Sequence, residues 1–161
     1  MPLSEQERES LDRKQREFIR LYFKVKRYII DSEKALAGNK LSMPAINELR
    51  SALDHEMRTQ SVIRGVSKAP TDGGLSEFGY CETNITKAIG HIYRAGYDAL
   101  DVISLSIAED VLKTIDSFSR TTTVTVFSNY SDEIRLPLEK AMEICGEAKA
   151  RKDVEADDSG Q

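Results

Sequence analysis

The chain contains two histidines, and each is followed three residues later by an arginine, in His55–Arg58 and His91–Arg94. Residues three apart on a helix share a face, so each pair would set an imidazole beside a guanidinium. Imidazole gains or loses a proton near neutrality, and guanidinium is a permanent cation able to stabilise a phosphorane-like anion. Cleavage of RNA by attack of its own 2′-hydroxyl needs little more than those two groups and does not call for a metal. Arg50 lies five residues before His55, with Asp54 between them. Arg50–Asp54, Asp54–Arg58 and Arg94–Asp98 are each spaced i,i+4 with opposite charge, so ion pairs worth a few tenths of a kcal/mol are expected there. The candidate catalytic residues are Arg50 and His55. Asp54, Arg58, His91, Arg94 and Asp98 are supporting or interface groups.

Other chemistries find less footing. No His-Glu-x-x-His motif occurs, nor the paired Glu-x-x-His of a di-iron bundle, and neither a metal nor a cofactor is expected. Cys81 and Cys145 stand far apart without metal-ligand spacing, which suits a reducing compartment, and Cys81 reads as a small buried hydrophobe. A Gly-x-Ser-x-Gly elbow is absent, and Gly73-Gly74 lacks the lysine of a phosphate-cradling loop. The net charge of -4 argues against bulk attraction to nucleic acid, so any RNA contact would need a local basic patch. The N-terminus reads as lacking a signal peptide, and the stretch from Ala99 to Ala108 is too short to span a bilayer. A soluble, cytoplasmic protein without a membrane partner is expected.

The elements that must position these groups are helices. At 161 residues, 40% hydrophobic and 31% charged, the chain suits one all-α domain, an antiparallel bundle of four long helices over residues 1–152. Ser4 with Glu7 forms a capping box, and Phe18, Leu21, Tyr22, Val25, Tyr28 and Ile29 recur at helical spacing until Gly38-Asn39. The densely charged first half of that helix is expected to pair only loosely. Ser42 and Pro44 open a second helix ending near Gly65, with Ile46, Leu49, Leu53 and Met57 as its buried stripe. Residues 66–76 form a loop. A third helix runs from about Glu77 to Phe118 on a row of isoleucines, where Gly90 and Gly96 either weaken it or mark close crossings. Thr121 to Phe127 is expected as an extended connector, and Ser131 as the cap of the last helix. The acidic residues 153–161 are expected to be disordered.

At about 100° per residue, His55 falls nearly opposite the apolar stripe of the second helix. Lys87, His91, Arg94, Asp98 and Asp101 fall on the side of the third helix away from its isoleucines. Such a face either stays solvated or closes against another subunit or protein partner.

Arg50-Ser51-Ala52-Leu53-Asp54-His55 resembles the Arg-x4-His motif of the HEPN superfamily. The resemblance covers six residues and the helical class, and position 51 holds serine where the family favours asparagine, aspartate or histidine. It implies a small helical protein that dimerises and acts as a metal-independent ribonuclease in prokaryotic toxin or antiviral systems. It further implies that Arg50 and His55 meet their symmetry mates in a cleft between subunits. The alternative is a non-enzymatic accessory subunit that docks a partner protein or homo-oligomerises through the same charged residues.

Overall fold

The computed structural model describes residues 3–36, 42–70, 74–126 and 129–158, and all of their regular structure is helical. The elements are α1 (Glu5–Ala35), α2 (Met43–Ile63), α3 (Glu77–Asp116), α4 (Arg120–Val126) and α5 (Leu136–Asp158), the last preceded by a π-helical turn over Ser131–Arg135. The Ser4–Glu7 capping box is present: Ser4 Oγ accepts from the Glu7 amide, and Glu7 accepts from the Ser4 amide at 2.7 Å. Gly38-Asn39, expected to stop α1, lies outside the described residues.

Three long helices pack together, with α3 against both α1 and α2. Lys14 meets Thr86, Val25 meets Gly96 and Ala35 meets Ser106, so α1 and α3 run parallel in nearly constant register. Glu48 meets His91, His55 meets Asn84 and Thr59 meets Cys81, so α2 runs antiparallel to both. Gly96 marks a close crossing. A Cβ there would lie 3.0 Å from Val25 Cγ2, so the valine fills the space a side chain would take. The charged first half of α1 is better anchored than expected, because Leu11 is buried and Lys14 pairs with Glu82 at 3.2 Å.

The buried line of α2 is not the expected one. Ala45, Ala52, Glu56 and Thr59 face inward, while Leu53 and Met57 are 57% and 51% exposed. Small residues decide this. Ala45 and Ala52 pack with Ala95 and Ala99 of α3 in one core cluster, and a larger side chain on that line would hold the helices apart.

Thr121–Val126 is helical rather than extended. Ser119 caps α4 by accepting from the Thr122 amide at 3.1 Å, and the Thr123 and Thr125 hydroxyls donate to carbonyls four residues back. Those bonds give a β-branched run helical partners that a lone strand would lack. Ser131 does not cap α5; it begins the π-helical turn that leads into it. Helix α5 reaches Asp158, within the stretch expected to be disordered, and residues 159–161 of that stretch lie outside the described residues.

Candidate functional site

The site lies on the outer seam between α2 and α3. On α2, Glu48 and His55 are seven residues apart, two helical turns, and therefore share a flank. On α3, Asn84 and His91 have the same spacing. Antiparallel packing sets Glu48 level with His91 and His55 level with Asn84, so each histidine is bound by the residue two turns from the other. The two imidazole rings stack between these anchors, with centroids 5.3 Å apart and planes 17° from parallel. His55 thus lies half-buried at the seam, not on the far side of α2 from the core. The correction follows from the rotated buried line, since the face opposite the apolar stripe is not the face opposite α3.

The anchors set the tautomers. Asn84 Nδ2 donates to the Tyr80 carbonyl at 2.9 Å, which turns its Oδ1 toward His55 Nδ1 at 2.8 Å. An amide oxygen can only accept, so His55 carries its proton on Nδ1. His91 Nδ1 lies 2.7 Å from Glu48 Oε2, and Arg94 Nε donates to the same oxygen at 2.9 Å. A bare Nδ1 lone pair against a carboxylate would be repulsive, so this nitrogen also carries its proton, although Arg94 Nη2 approaches it to 2.7 Å. The Nε2 atom of each ring then makes no hydrogen bond among the described residues.

Burial by itself would raise the Glu48 carboxyl, but the hydrogen bonds from His91 and Arg94, with their charges, hold it below the ordinary carboxylate value. Glu48 is therefore an anion at neutral pH that orients His91 and Arg94 together.

Arg50, Ser51, Asp54, His55 and His91 line one concavity of about 370 Å³. Asp54 pairs with Arg58 at 2.7 Å instead of Arg50. Arg50 is exposed and has no ion pair among the described residues. Arg94 turns across the seam to Glu48, and Asp98 is half-buried further along α3. The structure therefore brings together Arg50, Asp54, His55 and His91, holds Arg94 behind His91, and leaves Arg58 on the rim. Glu48 and Asn84 were missed in the sequence reading. Their signal was the seven-residue spacing from a histidine on each helix, legible only once the antiparallel register is known.

No group of three or more His, Cys, Asp or Glu side chains among the described residues could hold a metal ion. No described helix is long and apolar enough to cross a membrane. Compared with known families, characterised proteins and solved structures, the chain matches no family model and shows no significant similarity to any protein or structure.

Proposed function

We propose that the α2–α3 concavity is the active site of a metal-independent endoribonuclease of HEPN-like type, in which His55 and His91 move protons and Arg50 holds the phosphate. One observation carries the reading: both histidines of the chain line a single concavity with Arg50, which makes no ion pair among the described residues, and each is bound through Nδ1, leaving Nε2 for a substrate. His55, on a neutral amide, is the base that takes the proton from the RNA 2′-hydroxyl. The 2′-oxygen then bonds to phosphorus, and the bond from phosphorus to the 5′-oxygen breaks. His91, held at Nδ1 by Glu48, gives a proton from Nε2 to that 5′-oxygen. The products are a 2′,3′-cyclic phosphate and a 5′-hydroxyl. Arg50 stabilises the equatorial oxygens of the transition state.

Such an enzyme would act in the cytoplasm of a prokaryote, in a defence or toxin-type system, as a dimer or higher homo-oligomer whose second copy deepens the cleft. A fourth long helix from the chain or its partner would complete an antiparallel four-helix arrangement. The test is digestion of RNA by the purified full chain in the presence of a chelator. His55→Ala should lower the rate by about 10²–10⁴-fold and Arg50→Ala by about 10²–10³-fold. Equal cleavage by wild type and both variants, or none by any, would contradict the reading.

A second reading is favoured by the exposed apolar residues Ile19 and Phe23 on α1 and Leu53 and Met57 on α2. On this reading the chain is an accessory subunit that covers them with a partner protein or a second copy. Light scattering distinguishes it: Leu53→Glu with Met57→Glu should reduce a self-association that wild type shows at high micromolar concentration. A wild type that stays monomeric and brings down no partner would count against it.

A further inference from the structure

A substrate strand must reach the histidines from somewhere, and the outer face of α3 offers a route. Lys14 of α1 donates to Thr86 at 2.9 Å and pairs with Glu82, so this flank of α1 adjoins that flank of α3. Seven-residue steps from the contact bring Leu21 level with Tyr93 and Tyr28 level with Leu100. Immediately outside that row, α1 presents Arg20 and Lys24, both exposed. From Phe18 to Ile30 the helix carries Arg20, Lys24, Lys26 and Arg27 and no carboxylate, on a chain whose net charge is -4. None of the four makes an ion pair among the described residues.

Moving outward across this level of α3 from the seam, the chain places Tyr93, 48% exposed, then Gly90, then Arg94 and Lys87, and then His91 itself, with Tyr97, Asp101 and Asp98 on the same face further along the helix. Gly90 is a low point, where an added Cβ would meet only Arg94 Nη1, at 3.5 Å. Lys87 is exposed and without an ion pair among the described residues. The face thus sets unpaired cations on α1, an exposed ring and a bare backbone on α3, a further cation, and then the histidine concavity. This is the local basic patch that an acidic RNA-binding protein requires. Cations that follow a phosphate backbone, with an aromatic face for a base, are what holds single strands without sequence preference. A duplex would not expose a base face to Tyr93. The acids facing the route are Glu17 on α1, Glu82, taken by Lys14, and Asp98 and Asp101 further along α3, with Glu48 and Asp54 at its far end, each taken by an arginine.

We infer that a single-stranded RNA crosses the outer face of α3, its phosphates on Arg20, Lys24 and Lys87 and one base on Tyr93, before entering the His55–His91 concavity. The inference rests on the proposed ribonuclease reading for its destination but not for its binding surface. The test is fluorescence anisotropy with the full chain and a labelled 2′-deoxy single strand of about 12 nucleotides, within the range such grooves hold and without the 2′-hydroxyl needed for cleavage. The Arg20→Ala, Lys24→Ala double variant should weaken binding by roughly 10-fold and flatten the slope of log K against log salt by about 1.4. Tyr93→Ala should weaken it by about 10-fold at all salt concentrations, and Tyr93→Trp should restore it. Arg135→Ala, an exposed residue paired with Glu139, is the control and should change nothing.

The inference is overturned if wild type does not hold the strand, or if the double variant keeps both affinity and slope. It is equally overturned if phosphatidylserine-containing vesicles bind to Arg20 and Lys24 while the strand does not. Strand binding through these residues without RNA cleavage would leave the route intact and remove the proposed activity. Cleavage by a double variant with unchanged strand binding would do the reverse.

Discussion

Helix α3 has two seams, and they are built differently. Against α1 it packs Gly96 beneath Val25 and buries Ile29 beside Ile92, a seam closed by shape. Against α2 it sets small residues at the centre and a polar ladder along the outer edge, Glu48 to His91 and His55 to Asn84. An apolar seam gains free energy from every buried methylene and has no use for an imidazole. A ladder of half-buried hydrogen bonds contributes a net of only about 1 kcal/mol each, yet it fixes two rings in one orientation. The first seam is held by packed apolar area, and the second holds two imidazoles in a fixed orientation.

The contrast can be broken most severely at the α1 seam. Gly96→Val would drive its branches into Val25 and should cost about 3 kcal/mol or more. Thermal unfolding should show it as a fall of roughly 6–12 °C, partly recovered by Val25→Ala, which returns the space. The polar seam should lose less. Glu48→Gln removes a charged acceptor from His91 and Arg94 and should cost about 1.5–3 kcal/mol at pH 7. Because the folded state depresses the Glu48 carboxyl, its contribution is complete above the ordinary carboxylate range and disappears as pH falls through the depressed value. Wild type and Glu48→Gln should therefore converge in melting temperature in acid.

The α2 interior offers a change in the opposite direction. Glu56 is buried, Gln60 donates to its Oε1 at 2.7 Å, and its Oε2 has no hydrogen-bond partner among the described residues. Burial raises its carboxyl above the ordinary value despite the bond from Gln60. A raised value means that stability is lost as pH climbs through it, so the anion is a burden at neutrality. Glu56→Gln keeps the acceptor for Gln60 and removes the charge. It should raise stability by about 1 kcal/mol, or 2–4 °C, at pH 7 and have little effect at pH 4. The smallest effect belongs to the rim: Arg58→Ala, losing an exposed pair with Asp54, should stay within about 0.5 kcal/mol.

The helical class and three of the helix starts were legible in the sequence, because capping residues and apolar periodicity are local signals; the choice between a weak point and a close crossing at Gly96 was not, since Val25 decides it. The face of α2 was not. Its largest apolar residues, Leu53 and Met57, outweigh Ala45, Ala52 and Thr59 in any hydrophobic count, but close approach to α3 favours small volume over apolar area. The threonine run misled for a related reason: strand propensity in Thr121–Thr125 gave way to the Ser119 cap and to hydroxyl bonds along the helix. Both histidines and Arg50 stood out by residue type. Asn84 and Glu48 did not, since what makes them anchors is a register between two helices.

The central claim is that both imidazoles are anchored at Nδ1 and keep Nε2 for chemistry, and long-range nitrogen–proton NMR correlation on the histidine rings tests it most directly. Above the pH at which the rings lose their second proton, His55 and His91 should both show the Nδ1–H tautomer, and Asn84→Ala should release His55 to the Nε2–H form common in solution while leaving His91 unchanged. An Nε2–H tautomer at either ring in the wild-type protein would contradict the account.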